Sequence, residues 1–158
     1  MASIKFKAFL DTNVLLDVLC GAPRPSAAAS QLIFQAVRSG LMEAVITTQS
    51  IVDASYVLSH GDHFDAALFR KAILSMMNYI NIRYIDVFDL QDASVHPSSD
   101  FEDDVQLAHA EAEGCDVMIT SDRKLRQRSN DSGMLFLTPE AFVARLGRPC
   151  RPSTCCAR

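Results

Sequence analysis

Short apolar runs of strand character alternate with segments of helical spacing along this chain, and that alternation constrains its fold more than any other feature. Ile4 to Leu10 reads as a first strand, apolar at alternate positions and then continuously. Ala44–Thr48, Arg83–Phe88, Asp116–Thr120 and Met134–Leu137 read as four more. Thr12 to Cys20 has helical spacing and is stopped by Gly21 and Pro23. Ser26 is placed to cap a second helix that Gly40 closes, and Ser50–Ser59 predicts a third. Phe64 to Tyr79 is amphipathic, with Ala67, Leu68, Ala72, Leu74 and Met77 as its expected core face. Asp89 to Ser99 reads as a polar connection in which Pro97 breaks any helix. Asp100 starts a helix that Gly114 ends, Asn130 to Gly133 reads as a turn, and Thr138-Pro139 opens a last helix through Leu146. Strands separated by helices at these intervals imply βαβ units and a mainly parallel sheet.

The bulk numbers bound this reading. With 158 residues, 49% hydrophobic and 22% charged, the chain is expected to bury roughly 68–70% of its unfolded surface around one core. One domain is expected over residues 1–146, followed by a disordered tail over 147–158. No apolar run is long enough for a membrane span, and the N-terminus has no signal-peptide pattern, so the expected location is the cytoplasm. The five cysteines (Cys20, Cys115, Cys150, Cys155 and Cys156) contain no C-x-x-C pair, which predicts reduced thiols and no zinc site. A net charge of −4 argues against a large nonspecific polyanion-binding surface. It leaves a nucleic-acid enzyme open, because carboxylates that hold metal ions count as negative only in the bare sequence.

The chemistry lies in two acidic stretches, Leu10-Asp11-Thr12-Asn13 with Asp17 nearby, and Asp100-Phe101-Glu102-Asp103-Asp104 with Thr120-Ser121-Asp122 downstream. Open parallel sheets bind ligands outside the carboxyl ends of their strands. Chain direction puts Asp11, Asp53 and Asp122 at that edge, and Asp103 joins them if its helix begins there. Converging carboxylates repel one another, and a hard divalent cation offsets that repulsion. An aspartate ending a buried strand is costly unless paired, so Asp11 weighs toward function over a helix cap. Spacing alone does not choose among Asp100, Asp103 and Asp104, which also suit a negative first helical turn. Asp86, Asp89 and Asp92 read as a solvated polar edge, and Asp62, Asp65 and Asp131 as caps or turns. His60, His63, His96 and His109 read as surface histidines. Arg123, Lys124, Arg126 and Arg128 follow Asp122, either as a solvated helix face or as a phosphate-positioning group. The phosphate loop, the dinucleotide fingerprint and the serine-hydrolase elbow are all absent.

Leu-Asp-Thr-Asn after the first strand, Asp-Phe-Glu-Asp opening a late helix and Ile-Thr-Ser-Asp after the next strand together resemble the PIN domain family, and within it the VapC-like toxin branch. The resemblance spans about residues 4–146. It implies a Rossmann-like three-layer α/β/α sandwich and a Mg²⁺- or Mn²⁺-dependent endoribonuclease with one or two ions. It selects Asp103 as the helix carboxylate beside Asp11 and Asp122. Asp53 stands where the family usually has glutamate, one methylene shorter, and Asp104 where alanine is common. Asn13 and Ser121 are the expected orienting groups, and Arg123, Lys124 and Arg126 the candidate phosphate contacts. Hydrolysis would leave a 5′-phosphate and a 3′-hydroxyl on single-stranded or loop RNA. The resemblance further implies an antitoxin partner and a homodimer.

Three alternatives stand beside that expectation. One is a PIN-like module that binds RNA or protein without cleaving. Another is an RNA-processing nuclease that is not a toxin. The third, a small-molecule phosphohydrolase with Asp11 as nucleophile, is disfavoured because position 13 is asparagine where that chemistry usually places a second carboxylate.

Overall fold

The computed structural model describes residues 6–21, 23–61, 64–95, 100–127 and 133–146. The elements run β1 (Lys7–Leu10), α1 (Thr12–Leu19), α2 (Ala27–Arg38), β2 (Glu43–Thr47), α3 (Thr48–Ser59), α4 (Ala66–Met76) and β3 (Asn81–Arg83), then α5 (Val87–Val95), α6 (Phe101–Ala112), β4 (Val117–Ile119), α7 (Arg123–Arg126), β5 (Leu135–Leu137) and α8 (Pro139–Leu146). All strand pairings are parallel, in the order β3-β2-β1-β4-β5. The expected Rossmann-like α/β/α sandwich is what the chain forms.

Strand side chains alternate between faces, and each face carries its own core. Ala8, Leu10, Ala44, Ile46, Val117 and Ile119 pack with Val14, Leu15, Ile33, Phe34 and Phe142 on one side. Phe9, Val45 and Met118 pack with Ala110, Leu125 and Met134 on the other. Phe9, Leu10 and Ile119 are wholly buried, and each such side chain contributes about 1.5–3 kcal/mol of transfer free energy.

The helices return to the sheet by one device used twice. Gly40 (φ 73°) and Gly114 (φ 65°) take the left-handed conformation just past α2 and α6. The Gly40 and Leu41 amides donate to the Val37 and Ala36 carbonyls, and those of Gly114 and Cys115 to Glu111 and Ala110. Both are Schellman closures, which favour glycine because a Cβ is strained at that φ. Each turns the chain within three residues into β2 or β4.

Several expectations need correction. The third strand stops at Arg83, and 87–95 is a helix, not strand end plus polar loop. Asp86 Oδ1 accepts from the Phe88 and Asp89 amides while Asp89 Oδ2 accepts from the Asp86 amide, a reciprocal capping box that nucleates α5. Consequently Asp86, Asp89 and Asp92 are not a uniform solvated edge: Asp89 is buried. The inward side of α4 is carried by Ile73 and Met76, and Leu68, Leu74 and Met77 are exposed. Apolar residues surround that helix, so spacing could not pick its face. The α2 helix begins after Ser26, but the Ser26 side chain does not cap it. Asp65 caps α4 and Thr138 caps α8, as expected. Pro97, His63, His96, Asp62, Asp131, Arg128, Asn130 to Ser132 of the turn and the 147–158 tail lie outside the described residues.

Candidate functional site

The sheet reverses its winding between β1 and β4. From β1 the chain builds outward through β2 and β3, then crosses to β4 and β5 on the other side. The crevice outside the carboxyl ends at such a switch point is where open parallel sheets bind ligands. Leu10 pairs with Ile119, so Asp11 and Thr120 leave their strands side by side at that crevice.

Asp11 is only 5% exposed. It occupies the N-cap position of α1, yet its side chain makes no cap bond. Instead Oδ2 accepts from Thr120 Oγ1 at 2.7 Å and from Asn13 Nδ2 at 3.2 Å. Burial pushes the Asp11 carboxyl above its ordinary range, and these hydrogen bonds only partly oppose it. No ion pair involves Asp11 among the described residues. A buried carboxylate of this kind carries a desolvation cost that a cation would offset.

Thr120, which the motif reading passed over, links two of the candidates: its Oγ1 donates to Asp11 and accepts from the Asp122 amide at 2.9 Å. Asp122 Oδ1 in turn accepts from the Lys124 and Leu125 amides at 2.6 and 3.1 Å, capping α7. Arg126 Nε donates to the Asp122 carbonyl, whereas Arg123 and Lys124 are exposed at the crevice rim. Ser121 Oγ donates to Ser26 Oγ at 3.5 Å.

A cleft of about 450 Å³ adjoins this edge, lined by Thr47, Gln49, Ser50, Asp53, Ile85, Leu90, Glu102, Val105 and Gln106. Thr47 caps α3 through the Ser50 amide, which places Asp53 one turn on, where it accepts from Gln49 Nε2 at 2.8 Å. Asp100 caps α6 by accepting from the Asp103 amide, so α6 does begin at the site edge. Asp103 is half-buried there and does not line the cleft; Glu102, from the same turn, does. Burial pushes the Glu102 carboxyl up, and the charges of Asp53, Asp100 and Asp11 push it the same way. Motif reading did not single out Glu102 within Asp-Phe-Glu-Asp; its i, i+4 partner Gln106 was the available signal that it faces the cleft.

Two further aspartates are buried. Asp17 is buried, bound by Arg24 Nε at 2.7 Å and Ser30 Oγ at 2.8 Å, and ties α1 to α2. Asp104 is also buried. His109 is buried as well, contrary to the surface expectation: its Nδ1 lies 2.8 Å from Asp89 Oδ2 and its ring meets Phe9 edge-on. Cys20 and Cys115 are free thiols, as expected. Burial pushes the Cys115 thiol up to about 12, which excludes it as a nucleophile at neutral pH.

The donor chemistry suits a hard divalent cation, being all oxygen, net negative and partly desolvated. The carboxylates are not closed on one point, however. Among the described residues, no three His, Cys, Asp or Glu side chains stand near enough to coordinate one ion as they lie.

Comparison with known proteins follows the same lines. The PIN domain family matches residues 7–124. No curated protein matches in sequence. Among solved structures, VapC20 of Mycobacterium tuberculosis, a toxin that cleaves the sarcin-ricin loop, superposes with a TM-score of 0.60 at 10% identity, covering 75% of this chain and 92% of its own. A Pyrobaculum aerophilum protein gives 0.62 at 16% identity, with 89% of each chain covered. A Klebsiella pneumoniae toxin–antitoxin complex gives 0.55 at 19% identity, covering 84% of this chain and 97% of its own.

Proposed function

The chain belongs to the PIN domain family, and on that premise we propose that it is a divalent-metal-dependent endoribonuclease, acting in the cytoplasm as the toxin of a toxin–antitoxin pair. The observation that carries this reading is Asp11: a buried carboxylate, in no ion pair among the described residues, held by Thr120 and Asn13 at the switch point of the sheet.

Asp11, Asp103 and Asp122, with Asp53 in support, are the residues that would hold one or two Mg²⁺ or Mn²⁺ ions. When bound, the ion supplies charge that lowers the pKa of a coordinated water and offsets charge on the leaving oxygen. Thr120 and Asn13 fix the Asp11 carboxylate, so it needs no reorganisation on binding. Asp122 keeps one oxygen on the α7 amides, which limits its rotation. Arg123 and Lys124 at the rim position RNA phosphates, while Arg126, bonded to the Asp122 carbonyl, supports the α7 turn. Ser121, turned toward Ser26, drops out of this proposal. Cleavage of the sarcin-ricin loop by VapC20 supports an RNA loop as substrate.

The toxin–antitoxin complex among the structural neighbours supports an antitoxin partner. So does an apolar groove of about 490 Å³ between α1, α3 and α4, with Leu16, Leu19, Leu58, Phe64, Leu68 and Phe69 along it, since exposed apolar surface of this kind marks protein contacts. A homodimer belongs to the same reading.

Cleavage of RNA with Mn²⁺ or Mg²⁺ tests the proposal, comparing wild type with Asp11→Asn and Asp103→Asn. Each variant is expected to lose roughly a hundredfold or more, and equal activity overturns the site assignment. A second reading, RNA or protein binding without cleavage, is favoured by the carboxylates' separation. RNA binding without cleavage under every metal supports it.

A further inference from the structure

Glu102 and Gln106 lie one turn apart on α6 and line the same cleft as Asp53. Gln106 Nε2 donates to Glu102 Oε1 at 3.2 Å. Gln106 is only 4% exposed, and its Oε1 has no hydrogen-bond partner among the described residues. A buried carbonyl left without a donor costs about 1–3 kcal/mol and is uncommon enough to call for a reason. The reason here is its neighbour. Turned the other way, the amide would set its oxygen against the Glu102 carboxylate, acceptor against acceptor. The orphaned oxygen is thus the cost of holding Glu102 in the cleft.

Charge points the same way. Glu102 and Asp53 line one cleft, and none of the ion pairs among the described residues includes Glu102. Facing it across the cleft, Asp53 is a shorter side chain already bonded to Gln49. A longer carboxylate, fixed by a buried amide and sharing its cleft with a second carboxylate, is arranged for a cation and not for packing.

We propose that Glu102, oriented by Gln106, is a further ligand of the divalent cation, reaching from α6 into the cleft that Asp53 lines from α3. This rests on the metal-dependent reading above. Like charges keep these carboxylates apart, and the ion draws them together.

The test measures Mn²⁺ affinity by titration calorimetry, the melting temperature in chelator and RNA cleavage. It compares wild type, Glu102→Gln and Glu102→Gln/Asp53→Glu. Glu102→Gln is expected to bind Mn²⁺ at least about tenfold more weakly, with a chelator melting temperature equal to or above wild type because a like charge is gone. Asp53→Glu, one methylene longer, is expected to restore part of that affinity. Unchanged affinity in Glu102→Gln, or no recovery in the double variant, overturns the proposal. So does a lowered chelator melting temperature, which marks a structural glutamate. If wild type binds Mn²⁺ and cleaves RNA while Glu102→Gln binds equally well, only the Glu102 assignment falls. If wild type binds no Mn²⁺, the metal-dependent reading falls with it.

Discussion

Asp11 shows what burying a single carboxylate costs a fold. Its folded pKa lies above the ordinary 3.8 because burial disfavours the charged form. The sign follows from linkage. The folded state holds the proton more tightly than the unfolded chain, so stability rises as pH falls through the folded pKa, and the full penalty applies at neutral pH. Asp11→Asn keeps the Thr120 and Asn13 hydrogen bonds and removes the charge. In chelator at pH 7 it is expected to stabilise the protein by about 2 kcal/mol, the scale of a relieved buried polar group. The gain should vanish only well below pH 3.8, where wild type is neutral in both states. Urea titrations across pH check this, and equal stability at pH 7 would contradict the uncompensated charge. That Asp11 would be a costly buried carboxylate was legible from its place after an apolar strand. That Thr120 holds it was not, because the contact spans 109 residues of chain.

At the scale of elements, α5 carries the lesson. Its capping box was present in the sequence as Asp86-x-x-Asp89, but the polar composition of the segment obscured it. Once formed, α5 lays Asp89 against His109 on α6, both nearly inaccessible, and contributes Leu90 to the cleft wall. Removing one partner of a buried pair strands the other. Asp89→Ala is therefore expected to cost about 3 kcal/mol, read as a lowered urea midpoint at unchanged m-value. Hydrogen exchange should accelerate first in α5 and the last turn of α6, where His109 sits. Helix α4 failed differently: its apolar residues run round the helix, and only the neighbours chose Ile73 and Met76 as the inner face.

For the molecule as a whole, the two ends of the sheet do opposite things. Negative charge gathers at the carboxyl end, while Lys7 at the amino end of β1 is tied to the end of α6. Glu113, at the end of α6, pairs with Lys7 of β1 at 2.9 Å and with Arg83 of β3 at 3.2 Å. The Lys7 hydrogen bond, against a smaller burial penalty, holds the Glu113 carboxyl below its ordinary 4.5. Its stabilisation is thus fully present above pH 4.5 and lost as pH falls through the lower folded value. Glu113→Gln is expected to lower stability by about 1 kcal/mol at pH 7 and by little in acid, with RNA cleavage at full folding unchanged. Thermal melts at the two pH values decide it.

What the sequence by itself determined is what chain direction and periodicity control. The parallel alternation, the placing of Asp11, Asp53 and Asp122 at one edge, and the glycine closures at 40 and 114 depend on residues near one another in the chain. Tertiary structure alone decided which carboxylates face a common space. From one helical turn it turned Glu102 into the cleft, half-buried Asp103 beside it, and buried Asp104. The physical reason is that helical residues one position apart point about 100° apart. Sequence can say that a turn is acidic, but only the packing of α6 against the sheet and α5 selects the charge that faces the cleft.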